Sequence, residues 1–336
     1  MTASSTMTAP SPEKVMQIIS AGWACSILGT AARHGIFTHL EEPGENAAGL
    51  AKKAGISTRG AQSLLDGLAG LGLLNRSGGN YVNGPDASLY LVKGKPSYLG
   101  GMAEVFMDEL PIWAKLPEAV RSDVPQAPNT ADVPENPFWE ALVPSIAALS
   151  APVAQMAAEQ LGIAKAGAIS WLDVGGGSGI WSAIWLSANP QARGVQLDWP
   201  NVNKIAKGIV AKFGVADRFS TVDGDFHTAD FGSGTYDFAI YGHIAHQEAP
   251  ADNIAVFRKF RKALKPGGTL LLNDFVLTDD RAGHPFAMMF SAQMLLMTKS
   301  GSAYREVDYR KWLGEAGFTS VEIVPTPTPA TMVFAR

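Results

Sequence analysis

Apolar and polar positions change their rhythm once along the chain, near Ala168. Before that point, from about Pro12 to Val92, the pattern is helical and rich in Ala and Leu. The stretch "NAAGLAKKAGISTRGAQSLLDGLAGLGLLNRSGGNYV" predicts a short helix ending at Gly55, then a helix capped by Ser57 or Thr58 with Leu64, Leu65, Leu68 and Leu71 on its apolar face. A glycine hairpin follows at "RSGGNYV". Helix, turn, helix and hairpin make a winged-helix arrangement. After Ala168, short apolar runs such as "ISWLDV", "RGVQLD", "YDFAIYG" and "GTLLLNDFV" alternate with helical segments, the signature of a parallel sheet in an α/β domain. At the end, "SVEIVPT" and "ATMVFAR" read as an antiparallel strand pair.

The middle of the chain is helical but broken by "DVPQAPNTADVPENPFW", whose proline density marks a loop or connecting segment. Phe138 and Trp139 follow at once, either as walls of a pocket or as pins that hold the loop to the core. These signals divide the chain into a disordered tail at 1–11, a winged-helix domain at 12–97, a helical linker with pocket residues at 98–165 and an α/β domain at 166–336.

Composition narrows the possible partners. With 336 residues, 46% hydrophobic and 17% charged, the chain is long enough for two domains and has ample core. A net charge of -4 gives no overall attraction to a phosphate backbone, and the second helix of the winged unit offsets Arg59 with Asp66, so no nucleic acid is expected. That unit reads as a packing or dimerisation module. Cys25 is the one cysteine, which excludes an internal disulfide and a thiolate zinc site and fits a reducing cytoplasm. The first residues lack the apolar core of a secretory signal, no apolar stretch approaches 18 residues, and no membrane is expected.

The chemistry concentrates in "WLDVGGGSGIWSAIW". Asp173 closes a strand, Gly175, Gly176, Gly177 and Gly179 make the turn, and a helix begins. Glycines there let the backbone approach a ligand closely. An acid directly before them suits an ammonium group better than a pyrophosphate. Asp198, with Trp199 beside it in "VQLDWPNV", closes the next strand and suits the two hydroxyls of a ribose. In "DGDF", Asp225 suits an exocyclic amine and Phe226 a purine face. The deduced ligand contains adenosine, bears a diol and is cationic at one end; S-adenosylmethionine fits it and NAD fits it poorly.

The motifs "LDVGGGSG", "LDWPNV", "GDF", "LKPGG" and "YRKWLGEAGF" together make the chain resemble the class I S-adenosylmethionine-dependent small-molecule O-methyltransferases, the family of caffeic-acid-type and acetylserotonin O-methyltransferases, along nearly its whole length. The resemblance implies a Rossmann-like, seven-stranded sheet with one antiparallel C-terminal strand behind a winged-helix domain. It also implies homodimerisation through that N-terminal domain, which helps to close the partner's active site.

Two histidines in "YGHIAHQEAP" compete for a role. The family's general base precedes its Pro-Gly-Gly turn by a fixed interval, and His246, 21 residues before Gly267, matches it. His243 is then a strand-end residue bonded to backbone. The family's Asp-Trp after the base is replaced by Gln247 and Glu248. One orienting acid is kept as Asp274; the other is lost, with Ala303 in its place, and Glu306 is out of phase. These departures leave S- or C-methylation, driven mainly by proximity, open beside O-methylation. A ligand-sensing regulator is a further alternative. His243, His246 and Glu248 are too few ligands to make a metal site the expected reading. On the acceptor side, Phe286, Phe290 and Met294 share one helical face with Met297, and the resemblance places that helix at the acceptor site, with Met107, Phe138 and Trp139 opposite.

Overall fold

The computed structural model describes residues 10–128 and 133–336. The expected tail falls mostly on residues 1–9, outside the described residues, as does 129–132 of the Pro-rich segment. Two compact units divide at Leu110 and Pro111, inside the stretch read as a linker.

The first unit holds α1 (Glu13–Ile19), α2 (Ala21–Arg33), α3 (Ile36–His39), α4 (Ala47–Ala54), α5 (Thr58–Gly70), β1 (Leu74–Ser77), β2 (Asn80–Asn83) and α6 (Pro85–Tyr90), with most of α7 (Gly100–Trp113). Gly55, at φ 66°, ends α4 in the left-handed region. Ser57 caps α5, its hydroxyl accepting from the Gly60 amide at 3.0 Å. Leu65 and Leu68 are fully buried as the periodicity predicts, whereas Leu71, expected on the same face, is 45% exposed because the helix has already stopped at Gly70. Gly78 and Gly79, at φ 56° and 88°, make the two-residue turn that pairs β1 with β2.

The second unit continues with α8 (Leu116–Ser122), α9 (Pro137–Gln160), β3 (Ser170–Val174), α10 (Ile180–Ala188), β4 (Arg193–Asp198), α11 (Pro200–Lys212), β5 (Phe219–Asp223), β6 (Tyr236–Gly242), α12 (Pro250–Ala263), β7 (Leu264–Asp274), α13 (Pro285–Met297), α14 (Glu306–Glu315), β8 (Val321–Pro325) and β9 (Thr331–Ala335). The seven strands run in the order β5-β4-β3-β6-β7-β9-β8, with β9 antiparallel to both neighbours. Connections leave in opposite directions on either side of the β3/β6 junction, and that switch opens a crevice at the carboxyl ends of the strands.

Side chains alternate across this sheet. Trp171 and Ile240 enter one apolar layer with Trp181 and Trp185, while Leu172 and Tyr241 enter the other with Phe257, Phe260 and Trp312. The helix α9 belongs to the first layer and corrects an expectation. Its 24 residues are long and apolar enough by composition to cross a membrane; Pro144 and Pro152 inside it disguise that length in the sequence. Its C-terminal half is built into the core instead: Val153, Ala154, Ala157 and Ala158 are buried, and Trp185 Nε1 donates to the Ala154 carbonyl at 3.0 Å.

Candidate active site

At the carboxyl ends of β3 to β6 lies a cavity of about 400 Å³. Gly175, Gly177, Asp198, Trp199, Asp225 and Phe226 line it, and Trp139 stands on its wall as well. The loop after β3 requires its glycines. A Cβ on Gly175, which sits at φ 65°, would lie 2.7 Å from the Ile244 side chain; one on Gly176 would lie 2.7 Å from the Asp173 carboxyl carbon. Asp173 and Gly176 therefore stand behind the loop, not on the cavity wall. Gly179, at φ 70°, starts α10 against Ala206 and Val210 and is likewise set back.

The acids differ in what holds them. Asp198 accepts the Gly177 amide at 2.9 Å on one oxygen and the Trp199 amide at 2.7 Å on the other, which leaves each oxygen a lone pair for a ligand hydroxyl. Burial pushes its pKa up to about 6 against the pull of those amides. Asp173 is 1% exposed, and its Oδ2 has no hydrogen-bond partner among the described residues. Burial, then the neighbouring Asp198 charge, raise its pKa to about 8. An unpaired buried acid beside a second acid is costly unless a cation or donor arrives. Residues of this kind fit an adenosyl ligand with a cationic end. Behind the wall, Asn203 of α11 ties the strand ends together, donating to the carbonyls of Asp198 (3.0 Å) and Val222 (2.9 Å) and to Asp223 (2.7 Å).

Asp225 lines the cavity with one of its oxygens already engaged within the protein. Its Oδ1 accepts the His227 amide at 2.8 Å and lies 2.7 Å from His227 Nδ1, while His227 Nε2 lies 2.8 Å from Glu248. The Phe226 ring carries the His227 imidazole stacked on it at 4.2 Å. Neither His227 nor the role of Glu248 was read from the sequence; the only signal was an acid on each side of the chain gap that the fold closes.

The second half of the site is organised by Asp274, fully buried at the end of β7. Its Oδ1 lies 2.5 Å from His246 Nδ1 and accepts the Phe275 amide at 2.7 Å; its Oδ2 accepts the His246 amide at 3.0 Å and the Tyr309 hydroxyl at 3.2 Å. Burial disfavours that carboxylate, but His246 beside it, through charge and hydrogen bond, with His243 and the Phe275 amide, holds its pKa below the usual range. Tyr309 is the orienting partner that sequence reading missed. Ala303, where an acid was expected, is buried against Leu277 and Ala287, and Glu306 pairs with Arg310 at 3.9 Å.

His246 is 4% exposed and sits behind the cavity, while His243 and Gln247 line it. His243 is thus more than a strand-end residue. It holds a left-handed backbone at φ 57°, its amide donates to the Asn273 carbonyl at 2.8 Å, and its Nε2 lies 2.9 Å from Asn273 Nδ2. Burial drives its pKa down to about 4, so the ring is neutral. His243, His246 and Asp274 place possible metal ligands within 4.8 Å of one another. Two ligands of one tetrahedral ion at ~2.1 Å stand roughly 3.4 Å apart. The 2.5 Å between His246 and Asp274 is a hydrogen bond.

Around His246 the aromatic residues close in. Phe290 meets it edge-on at 4.8 Å, Phe275 lies at 5.7 Å, and Phe286 packs on both Phe275 (5.2 Å) and Phe290 (5.7 Å). Phe290 of α13 thus meets the histidine directly, Phe286 lies behind it on the same helical face, and Phe275 joins them without having been foreseen. Met294 is buried further along that helix, and Phe138 packs edge-on against Trp139 at 5.0 Å. Met107 belongs to the first unit, where its sulfur accepts from Thr30 at 3.4 Å.

Comparison with known proteins agrees with this geometry. Residues 154–319 match the model of an O-methyltransferase domain, and residues 16–93 that of an O-methyltransferase dimerisation domain. The chain is 31% identical to the tetracenomycin polyketide synthesis 8-O-methyl transferase of Streptomyces glaucescens, over 97% of this chain and 96% of that one. It is also 31% identical to the 3-hydroxy-5-methyl-1-naphthoate 3-O-methyltransferase of Streptomyces sahachiroi, over 95% and 92%. In fold it is similar to human N-acetylserotonin methyltransferase, with a TM-score of 0.84 at 23% identity, covering 100% of this chain and 99% of that one.

Proposed function

Since the chain belongs to the S-adenosylmethionine-dependent small-molecule O-methyltransferases, we propose that it methylates a hydroxyl on a planar, largely apolar molecule, with His246 as the general base. The observation that carries this reading is the buried contact of His246 Nδ1 with Asp274, 2.5 Å long. Asp274 accepts from Nδ1, which fixes the ring's tautomer and leaves Nε2 with the lone pair that takes the acceptor's proton. Tyr309 and two backbone amides hold Asp274 in turn, so the pair is oriented without the acid that Ala303 replaces.

On the donor side, Asp198 is proposed to hold the ribose hydroxyls, the glycine loop to admit the methionine end with Asp173 behind it, and Asp225 and Phe226 to form the adenine wall. Bound S-adenosylmethionine supplies a methyl group on a sulfonium, activated for displacement. Phe275, Phe286 and Phe290 exclude water around His246 and offer flat apolar faces, which favours an aromatic acceptor. Hydroxynaphthoates and larger hydroxylated polyketides, of the kind the two Streptomyces relatives are named for, are the first acceptors to assay.

Dimerisation is proposed to use the N-terminal helices. On α1 and the start of α2, Val15, Met16, Ile18, Ile19 and Trp23 are all more than half exposed, an apolar face that a lone chain leaves uncovered. The experiment for the whole reading is a methyl-transfer assay over this acceptor panel with wild type and His246→Ala. Strong loss in the variant on a hydroxyl acceptor supports base-assisted O-methylation; a loss below about tenfold means that His246 only positions the acceptor, and no turnover of any hydroxyl acceptor by the wild type points to S- or C-methylation by proximity.

A further inference from the structure

Glu248 stands where the resemblance predicts the tryptophan of an Asp-Trp pair, and it does not turn toward His246. Its carboxylate lies 2.8 Å from His227 Nε2, and the other nitrogen of that ring lies 2.7 Å from Asp225. The ring thereby joins two walls of the cavity that are separate in sequence: the loop after β5 and the turn after β6. We propose that His227 is a positioning residue whose imidazolium clamps these two walls together on the donor's adenine side. This rests on the donor-site reading above.

Only the protonated ring can donate to both carboxylates at once, since a neutral imidazole has a single N–H. Each end of the clamp is anchored independently. Tyr304 donates to the Glu248 carbonyl at 2.6 Å, and Asn253 of α12 donates to the Ala245 carbonyl at 2.8 Å, which fixes the turn. Lys259 of α12 donates to the carbonyls of Phe226 (2.8 Å), His227 (2.7 Å) and Ala229 (2.8 Å), which fixes the loop. The charged groups facing His227 are thus Asp225 on its own loop, Glu248 on the turn and Lys259 on α12, with Asp252 on the same cavity wall. The Glu248 bond first, and then its charge and those of Asp225, outweigh burial and hold the ring's pKa up at about 9. The clamp is closed at neutral pH and opens as pH rises through that value.

The test is calorimetric binding of S-adenosylhomocysteine from pH 7 to 10 by wild type, His227→Gln, Glu248→Gln and the double variant, with steady-state kinetics at pH 7.5. The clamp predicts that wild-type affinity falls above about pH 9. Each single variant should bind roughly tenfold more weakly at pH 7.5 and fall less steeply above pH 9, the part that remains being the ligand's own ammonium, and the double variant should bind no more weakly than the singles. The donor KM should rise with kcat at saturating donor nearly retained. Variants that match wild type at every pH, or losses that add in the double variant, overturn the clamp while leaving the donor site standing. Failure of the wild type itself to bind overturns both.

Discussion

At the level of single residues, His246 and Asp274 act as one unit. Asp274→Asn keeps the size but offers an amide to Nδ1 and disturbs the tautomer, so kcat is expected to fall by about 100-fold or more with donor affinity intact. Tyr309→Phe removes one of four hydrogen bonds to that carboxylate, a loss of about 1 kcal/mol in stability, with a smaller effect on kcat. Stopped-flow kinetics and thermal melts of the two variants check both. Most of these residues were legible in the sequence because strand-end acids and a histidine at a fixed interval leave a mark. Tyr309 was not, because its side chain reaches Asp274 from 35 positions away. The pairing of His227 with Glu248 was not legible for the same reason: 21 positions separate the two, and only the fold brings the loop after β5 to the turn after β6.

Among elements, periodicity served best where one face is buried. The capped helix α5 follows from it, although its end does not, since Leu71 continues the apolar spacing beyond Gly70; β3 and β6, buried on both faces, are legible as short apolar runs instead. The segment of α9 reads as helical, but its unbroken apolar length does not, because two internal prolines interrupt a pattern that the backbone carries through. The loop after β3 gives the sharpest element-level prediction. Gly175→Ala must hold φ 65° and press a methyl to 2.7 Å from Ile244, so it should destabilise the protein by about 1–3 kcal/mol and weaken donor binding. Denaturant titration with and without S-adenosylhomocysteine measures both.

For the whole molecule, the titrating groups of the donor site contribute to the pH profile of stability. The unfolded pKa of an aspartate is about 3.9 and of a histidine about 6.5. Asp173, raised to about 8, and His227, raised to about 9, both bind more protons folded than unfolded above pH 6.5. Stability of the ligand-free protein should therefore fall as pH rises from about 6.5 to about 9. His243, lowered to about 4, acts the other way but only below about 6.5. Asp173→Asn should roughly halve the slope between pH 6.5 and 8, where His227 still contributes, and thermal melts across that range would expose a profile that stays as steep as in wild type. The role of His246 is tested most sharply by the single-turnover rate of methyl transfer to a hydroxylated aromatic acceptor at saturating S-adenosylmethionine, in wild type and His246→Ala. A general base at this position predicts a drop of about 100-fold or more with unchanged donor affinity. A drop of less than about tenfold would contradict it.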